Sequence, residues 1–376
     1  MSLIYSDEQQ QLHDSARDFL AARSPVAVQR RVRDEQIAAG FDPQVWQGMI
    51  ELGWSAVAFA EDYQGLEFGF GGFAPLFEQL GRHLGASPLL SSVVLCGALM
   101  EELASEAQKQ ELIPKLISGE LRLALALEEN VRHAPDDIRT TAQLAGDELV
   151  LNGHKALVDD ALEADAWLVV ARLEDGSIGL FQVPANSEGA RCSARSLIDS
   201  RNHAALVLED VRLAASAQLG SADITQALEL ALDRGRACLA AELLGMAETV
   251  FGMTVEYLKT RVQFGAPIGT FQALQHRAAR LFTDLQLARS TVMGAFEALE
   301  QPGLAVPERR RLVSLAKWKC NLAAQRVSNE GIQMHGGIGV TDEYDVGLFL
   351  KRIRVAQAAL GNSDFHCQRY ADNLNK

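Results

Sequence analysis

Apolar positions along the chain follow two different periods, and the changes of period divide it into three parts. From Ser6 to about residue 118 the spacing is helical. Leu12, Ala16, Phe19 and Leu20 recur at three- and four-residue steps behind Ser6 and Gln9, a pair that predicts a capping box at the mouth of the first helix. A polar loop, Ala60 to Gly65, interrupts the pattern. A further helix over about 73–84 is expected to stop at Gly85 and Pro88, and another ends on Gly119. From about residue 120 the apolar runs are short and β-rich. The stretches 148–153, 166–172, 178–183 and 205–213 predict strands, with a hairpin turn at Glu174-Asp175-Gly176, and together a small antiparallel barrel or sandwich. The small, polar stretch 216–223 predicts a linker. The helical period then returns over 225–260, through Leu281, Leu285, Ala288, Val292, Phe296 and Leu299 as far as Gln301-Pro302-Gly303, and again over about 308–331. Long, largely apolar helices need partners on more than one face, which predicts a bundle and an oligomer.

Composition narrows the class. A chain of 376 residues is too long for one ordinary core and predicts two or three domains. A net charge of −14 and a pI near 5.1 exclude a general nucleic-acid or anionic-membrane surface, while leaving room for a local basic patch around a phosphate. The five cysteines, Cys96, Cys192, Cys238, Cys320 and Cys367, are scattered and form no Cys-x-x-Cys pair, so neither a disulfide framework nor a metal site is indicated. The first ten residues carry neither a basic nor an apolar leader region, and no apolar run approaches the length of a membrane span. The expected location is the cytoplasm.

Two stretches of the last third carry candidate chemistry. One runs from Arg261 through Phe264-Gly265 to Gln272; the other is Gln333-Met334-His335-Gly336-Gly337. Taken singly, the first is a turn between helices and the second an ordinary tight turn. In this order, behind a helix–β–helix chain, they resemble the acyl-CoA dehydrogenase family over essentially the whole length. Leu52–Gly65 also resembles that family's early loop, with Ala60 where proline is usual. The resemblance implies an α+β fold: an N-terminal helical domain (1–118), a middle antiparallel β-barrel (119–218) and a C-terminal four-helix bundle (219–376). It implies flavin adenine dinucleotide, FAD, lying across a dimer interface. Arg261, Phe264, Gln272, Gln333, Gly336 and Gly337 would hold the adenine end and pyrophosphate of a flavin bound mainly to the neighbouring subunit. The residue types suit that role. A pyrophosphate needs fixed N–H donors and a cation, glycine admits close backbone approach, and arginine supplies a permanently charged fork. His335, inside the loop, reads as packing.

The same resemblance shows what is missing. Dehydrogenation of a CoA thioester needs a carboxylate base in a poorly solvated pocket. In the commonest family pattern that base follows the double glycine in a Tyr-Glu-Gly-Thr stretch, which here reads Ala359-Leu360-Gly361-Asn362, so Leu360 stands at the base position. The alternative position, before Arg236 on the first long C-terminal helix, is Gly235. Asp233 and Asp364 are nearby carboxylates, and a charge near a helix N-terminus is the plainer reading of Asp233. The family's Thr-Glu-Pro segment is matched by Leu127–Ala134, keeping only Glu128. Its Trp-Ile-Ser/Thr is matched by Leu157-Val158-Asp159, without platform or hydroxyl.

Residues expected to serve a chain's own flavin are replaced, whereas those expected to reach a neighbour's are kept. The resemblance therefore implies a base-less subunit of a heteromeric dehydrogenase, an α2β2 heterotetramer with a paralogous partner. It would act on an acyl-CoA thioester, with steroid side chains a precedent in the family, and pass electrons to electron-transfer flavoprotein or a similar acceptor. A homomeric enzyme with another base, and a flavin-free structural or acyl-CoA-binding protein, remain open at this level.

Overall fold

The computed structural model describes residues 5–145, 147–220 and 223–374. The first four residues, read above for a leader, and residues 221–222 of the expected linker lie outside them. Elements succeed one another in the helical, strand, helical order of the periodicity. Packing groups them into two compact units: one gathers 1–29, 70–85 and 236–376, the other 30–69 and 86–235.

The first unit is helical. Its N-terminal helix, Asp7–Arg23, opens with the expected capping box: Gln9 N donates to Ser6 Oγ at 3.2 Å and Ser6 N to Gln9 Oε1 at 3.1 Å. The same unit holds Phe73–His83, which packs on it, the Thr225–Thr260 helix from Arg236 onward, Gln272–Glu300, Val306–His335, Val346–Ala358 and Ser363–Asp372. Leu281, Leu285, Ala288, Val292 and Phe296 are all buried, as their spacing requires, while Leu299 is half-buried. Phe73–His83 crosses Thr225–Thr260 with backbones nearly touching. A Cβ on Gly81 would sit 2.1 Å from the Glu242 carbonyl oxygen, and one on Gly245 2.0 Å from that of Glu78. Thr225–Thr260 is long and apolar enough to cross a membrane, but 67% of its most apolar window is buried in protein, as in a core helix.

The second unit is built on one eight-stranded sheet: β1 Leu123–Ala126, β2 Thr141–Ala145, β3 Glu148–Asp159, β4 Ala166–Arg172, β5 Ile178–Pro184, β6 Ala190–Ala194, β7 His203–Ala214 and β8 Gln218–Leu219. The order is β6-β7-β3-β2-β4-β5-β8, with β1 also on β4. The predicted β4–β5 hairpin is present in register from Ala166↔Pro184 to Arg172↔Ile178. Two details correct the expectation. The sheet is mixed, because β1 and β2 both run parallel to β4, and part of the expected linker joins it as β8. Strands β1, β2 and β6 escaped periodicity because each has only four or five residues and none alternates cleanly. Trp167, Val169, Phe181, Leu206 and Val211 lie in its buried core. Lys155 is fully buried within the sheet, donating to Val170 O at 2.7 Å and Glu129 Oε1 at 2.6 Å.

Candidate functional site

The six expected cofactor residues come together at one end of the helical unit. Thr225–Thr260 ends one turn after Tyr257, whose carbonyl accepts from Arg261 N at 2.8 Å. A minimal hairpin follows, Val262–Gln263 against Ala266–Pro267. Its turn is made by Phe264 and Gly265, both left-handed at φ 54° and 80°. Phe264 is 90% exposed and touches only Phe271 edge-on among the ring contacts described, at 6.1 Å. Arg261 is exposed, and its carbonyl closes the hairpin by accepting from Ile268 N at 2.8 Å. Gln272 is the exposed first residue of the next helix, which has no side-chain cap on its N-terminal amides.

Val306–His335 brings up the glycines. Gly336 ends it at φ 64°, ψ −140°, a conformation open essentially to glycine alone, with its N–H turned back onto the carbonyls of Gln333 and Ile332. A Cβ built on Gly336 or Gly337 meets no atom within 4 Å, so the space over this backbone is free for a ligand. Two contacts hold the assembly together. Arg277, near the start of Gln272–Glu300, pairs with Glu330 near the end of Val306–His335. Tyr257 packs on His335, ring centres 4.5 Å apart. The exposed cation, the open space over the glycine backbone and the exposed aromatic suit a dinucleotide.

The expected base turn lies elsewhere in the same unit, between Val346–Ala358 and Ser363–Asp372. Leu360 is held at φ 53°, costly for a side chain with a Cβ, and Gly361 at φ 111°. Three buried side chains fix this backbone. Arg236 Nε and His366 Nε2 each donate to Leu360 O at 3.2 Å, and Lys317 Nζ donates to Gly361 O at 3.3 Å and Ala356 O at 3.0 Å. Burial, with Arg236 and Arg352 acting in the same direction, pushes the Lys317 ammonium down to about 7. The turn backbone is therefore held in place while the side chain at its apex is a half-buried leucine. Asp364 is exposed; Asp233 is fully buried. Lys317 and His366 carried no periodicity or motif signal, since their partners are backbone carbonyls far along the chain.

In the second unit the two segments matched without gaps do meet: Glu128 bridges Leu157, and Ala156 N donates to Glu128 O at 2.7 Å. Their carboxylates are each taken up by a histidine. Glu128 pairs with His133, and Asp159 Oδ1 lies 2.7 Å from His203 Nδ1. Burial opposes charge on His203, but Asp159 and Asp199 outweigh it and lift its pKa to about 10. The sequence marked Asp159 as a departure; its partner, 44 residues away, was invisible.

The chain matches the acyl-CoA dehydrogenase N-terminal domain over residues 6–120 and the acyl-CoA dehydrogenase C-terminal domain over 224–375. It is similar to a probable acyl-CoA dehydrogenase, YngJ, of Bacillus subtilis, 29% identical over 97% of both chains. Among solved structures it resembles a variant of the Tcur3481-Tcur3483 steroid ACAD, with 30% identity, a TM-score of 0.88 and 98% of both chains covered. It also resembles a chain of the ChsE4-ChsE5 complex from Mycobacterium tuberculosis, with 26% identity and a TM-score of 0.90 over 100% of this chain and 99% of that one.

Proposed function

The chain belongs to the acyl-CoA dehydrogenase family of FAD-dependent oxidoreductases, and on that premise we propose that it is a subunit without its own base that completes the flavin site of a paralogous partner. One observation carries the reading: the turn at the expected base position is held by three buried side chains yet presents Leu360, while the exposed end carrying Arg261 and Gly336–Gly337 is open for a ligand. Leucine cannot accept the α-proton of a thioester, so the partner supplies that carboxylate.

FAD, when bound, supplies the acceptor for hydride from the substrate β-carbon. Arg261 would supply a positive charge for the pyrophosphate, the side-chain-free backbone at Gly336 and Gly337 would admit it closely, and Phe264 would offer an apolar face to the adenine end, with Gln272 and Gln333 at the rim. In this chain's own strand segments, Asp159 and Glu128 are held by histidines where the family places flavin-contacting groups. The similarity to a chain of the ChsE4-ChsE5 complex supports a two-component assembly, and the likeness to a steroid ACAD supports a bulky acyl group. The assembly is an α2β2 heterotetramer in the cytoplasm, reducing electron-transfer flavoprotein or a similar acceptor.

The test is to purify the full chain alone and together with its paralogous partner. Reduction of an artificial electron acceptor is then followed with acyl-CoA substrates, alongside the visible spectrum. The complex should be yellow and turn over. The lone chain should not, and neither should the lone Leu360→Glu variant, because a restored carboxylate lacks a flavin pocket beside it. Turnover by the lone wild-type chain overturns the proposal, and a complex that stays colourless favours a flavin-free role.

A further inference from the structure

His335 is the last residue of its helix, immediately before the two glycines, and is 3% exposed. Its Nδ1 lies 2.6 Å from Gly331 O. A carbonyl only accepts, so Nδ1 carries the proton and Nε2 of the neutral ring is bare. That Nε2 is buried and has no hydrogen-bond partner among the described residues. The imidazole is held between two phenol rings, Tyr257 at 4.5 Å and Tyr344 at 4.7 Å, which lie 6.4 Å from each other. Tyr257 is one turn before Arg261 and joined to it by the 2.8 Å backbone bond. Tyr344 follows the glycine loop.

We propose, resting on the flavin-completing role above, that His335 is a positioning residue: as the neutral Nδ1–H tautomer it locks the Gly336–Gly337 backbone to the Arg261 turn, so that the cation and the open glycine backbone converge on one phosphate group. The bond to Gly331 fixes the ring on the helix end, and the two phenols transmit that placement to both flanks. Gly339 tightens the link from below, since a Cβ there would come within 3.0 Å of His335 Cβ. The titratable groups packed on the imidazole are the phenols of Tyr257 and Tyr344, with Asp345 beside Tyr344, and none offers it an ion pair. Burial accordingly holds the imidazole below its ordinary range. Protonation would place a second N–H where no acceptor stands, so acid unlocks the loop.

The complex with the paralogous partner is titrated with FAD by flavin fluorescence for wild type, His335→Asn, His335→Leu and Arg261→Ala, between pH 5 and 8. Asparagine keeps an N–H near the Nδ1 position and does not titrate. Leucine keeps bulk without the donor. Wild-type affinity should weaken as pH falls below the ordinary histidine range. His335→Asn should stay within about threefold of wild type at pH 7.5 and lose the acid weakening. His335→Leu should bind about five- to tenfold more weakly, as expected for one ordering hydrogen bond. Combining His335→Leu with Arg261→Ala should give less than the product of the single losses, because an unlocked arginine contributes less. Equal affinity of His335→Leu and wild type, or equal losses in the Asn and Leu variants, overturns the proposal. Should His335→Leu not fold, His335→Gln, whose amide reaches the Nε2 end, takes its place. An Arg261→Ala complex that binds FAD as wild type does, or a wild-type complex that binds none, counts against the flavin-completing role itself. The imidazole ¹⁵N spectrum of the lone chain at pH 7.5 is independent of flavin: an Nε2–H tautomer or an imidazolium there would also overturn the positioning role.

Discussion

Arg261 is exposed, yet both of its backbone polar groups are bonded, the N–H to Tyr257 and the carbonyl to Ile268. Its guanidinium is therefore dispensable for the local fold and available for a ligand. On the proposed role, Arg261→Ala would remove a charge-assisted contact to phosphate worth roughly 1.5–3 kcal/mol. FAD affinity of the complex should fall about 10- to 150-fold, while the lone chain, like most surface substitutions, changes by less than about 0.5 kcal/mol. Gly337→Val is the sterner control, since its side chain meets nothing in the chain itself and acts only by blocking approach to the backbone. Flavin absorbance of the purified complex and the melting temperature of the lone chain read the two effects separately. Full flavin occupancy in both variants would reduce the loop to a turn. At this scale the motif order was enough to single out Arg, Phe and Gly residues that the structure brings to one end of the helical unit. Lys317 and His366 were not singled out, because what they bind is the backbone of a turn.

Among the elements, the end of β3 shows how a local substitution recruits distant support. Asp159 is partly exposed and closes on His203 at the start of β7, the two strands being antiparallel neighbours with Asp159↔His203 in register. The folded pKa of His203, about 10, lies above its ordinary 6.5. The pair therefore contributes stability fully below about pH 6.5, and that contribution is lost as pH rises through 10. His203→Gln, which cannot titrate, should be less stable than wild type by a constant margin between about pH 5 and 6.5, where the aspartates are ionised, and the margin should close between pH 7 and 10. Parallel urea titrations measure it; a margin independent of pH would mean that the pair is not ionic. Strand identity was legible wherever residues alternate over six or more positions, as in β4 and β5. Register was not, because it depends on which strand lies alongside.

At the scale of the whole molecule, the least legible feature is that residues 1–29 and 70–85 pack with 236–376. A buried charge explains the cohesion of that unit. Glu78, 1% exposed on Phe73–His83, is bonded by Arg289 from Gln272–Glu300 at 3.0 Å, by Arg82, and by Tyr5 Oη at 2.9 Å. Burial alone would raise the Glu78 carboxyl, but His13, Arg289 and Arg82 overcome it and hold it well below its ordinary 4.5. Its stabilisation is therefore present above about pH 4.5 and lost as pH falls. Glu78→Gln should cost towards the lower end of roughly 3–5 kcal/mol at pH 7, since both arginines are about 30% exposed. A loss below about 1 kcal/mol by urea unfolding, where exposed ion pairs fall, would show the network to be decorative. By itself the sequence determined the helix–strand–helix order, the caps and the core faces of the long helices, all of which depend on neighbours a few positions apart. Tertiary structure alone decided that Leu360 sits on an intact, over-determined turn, that Asp159 and Glu128 are bound by histidines, and that Arg261, Gly336 and Gly337 share one end of a bundle. Each of those is a contact between residues remote in the chain, and hydrophobic periodicity carries no information about which remote residues meet.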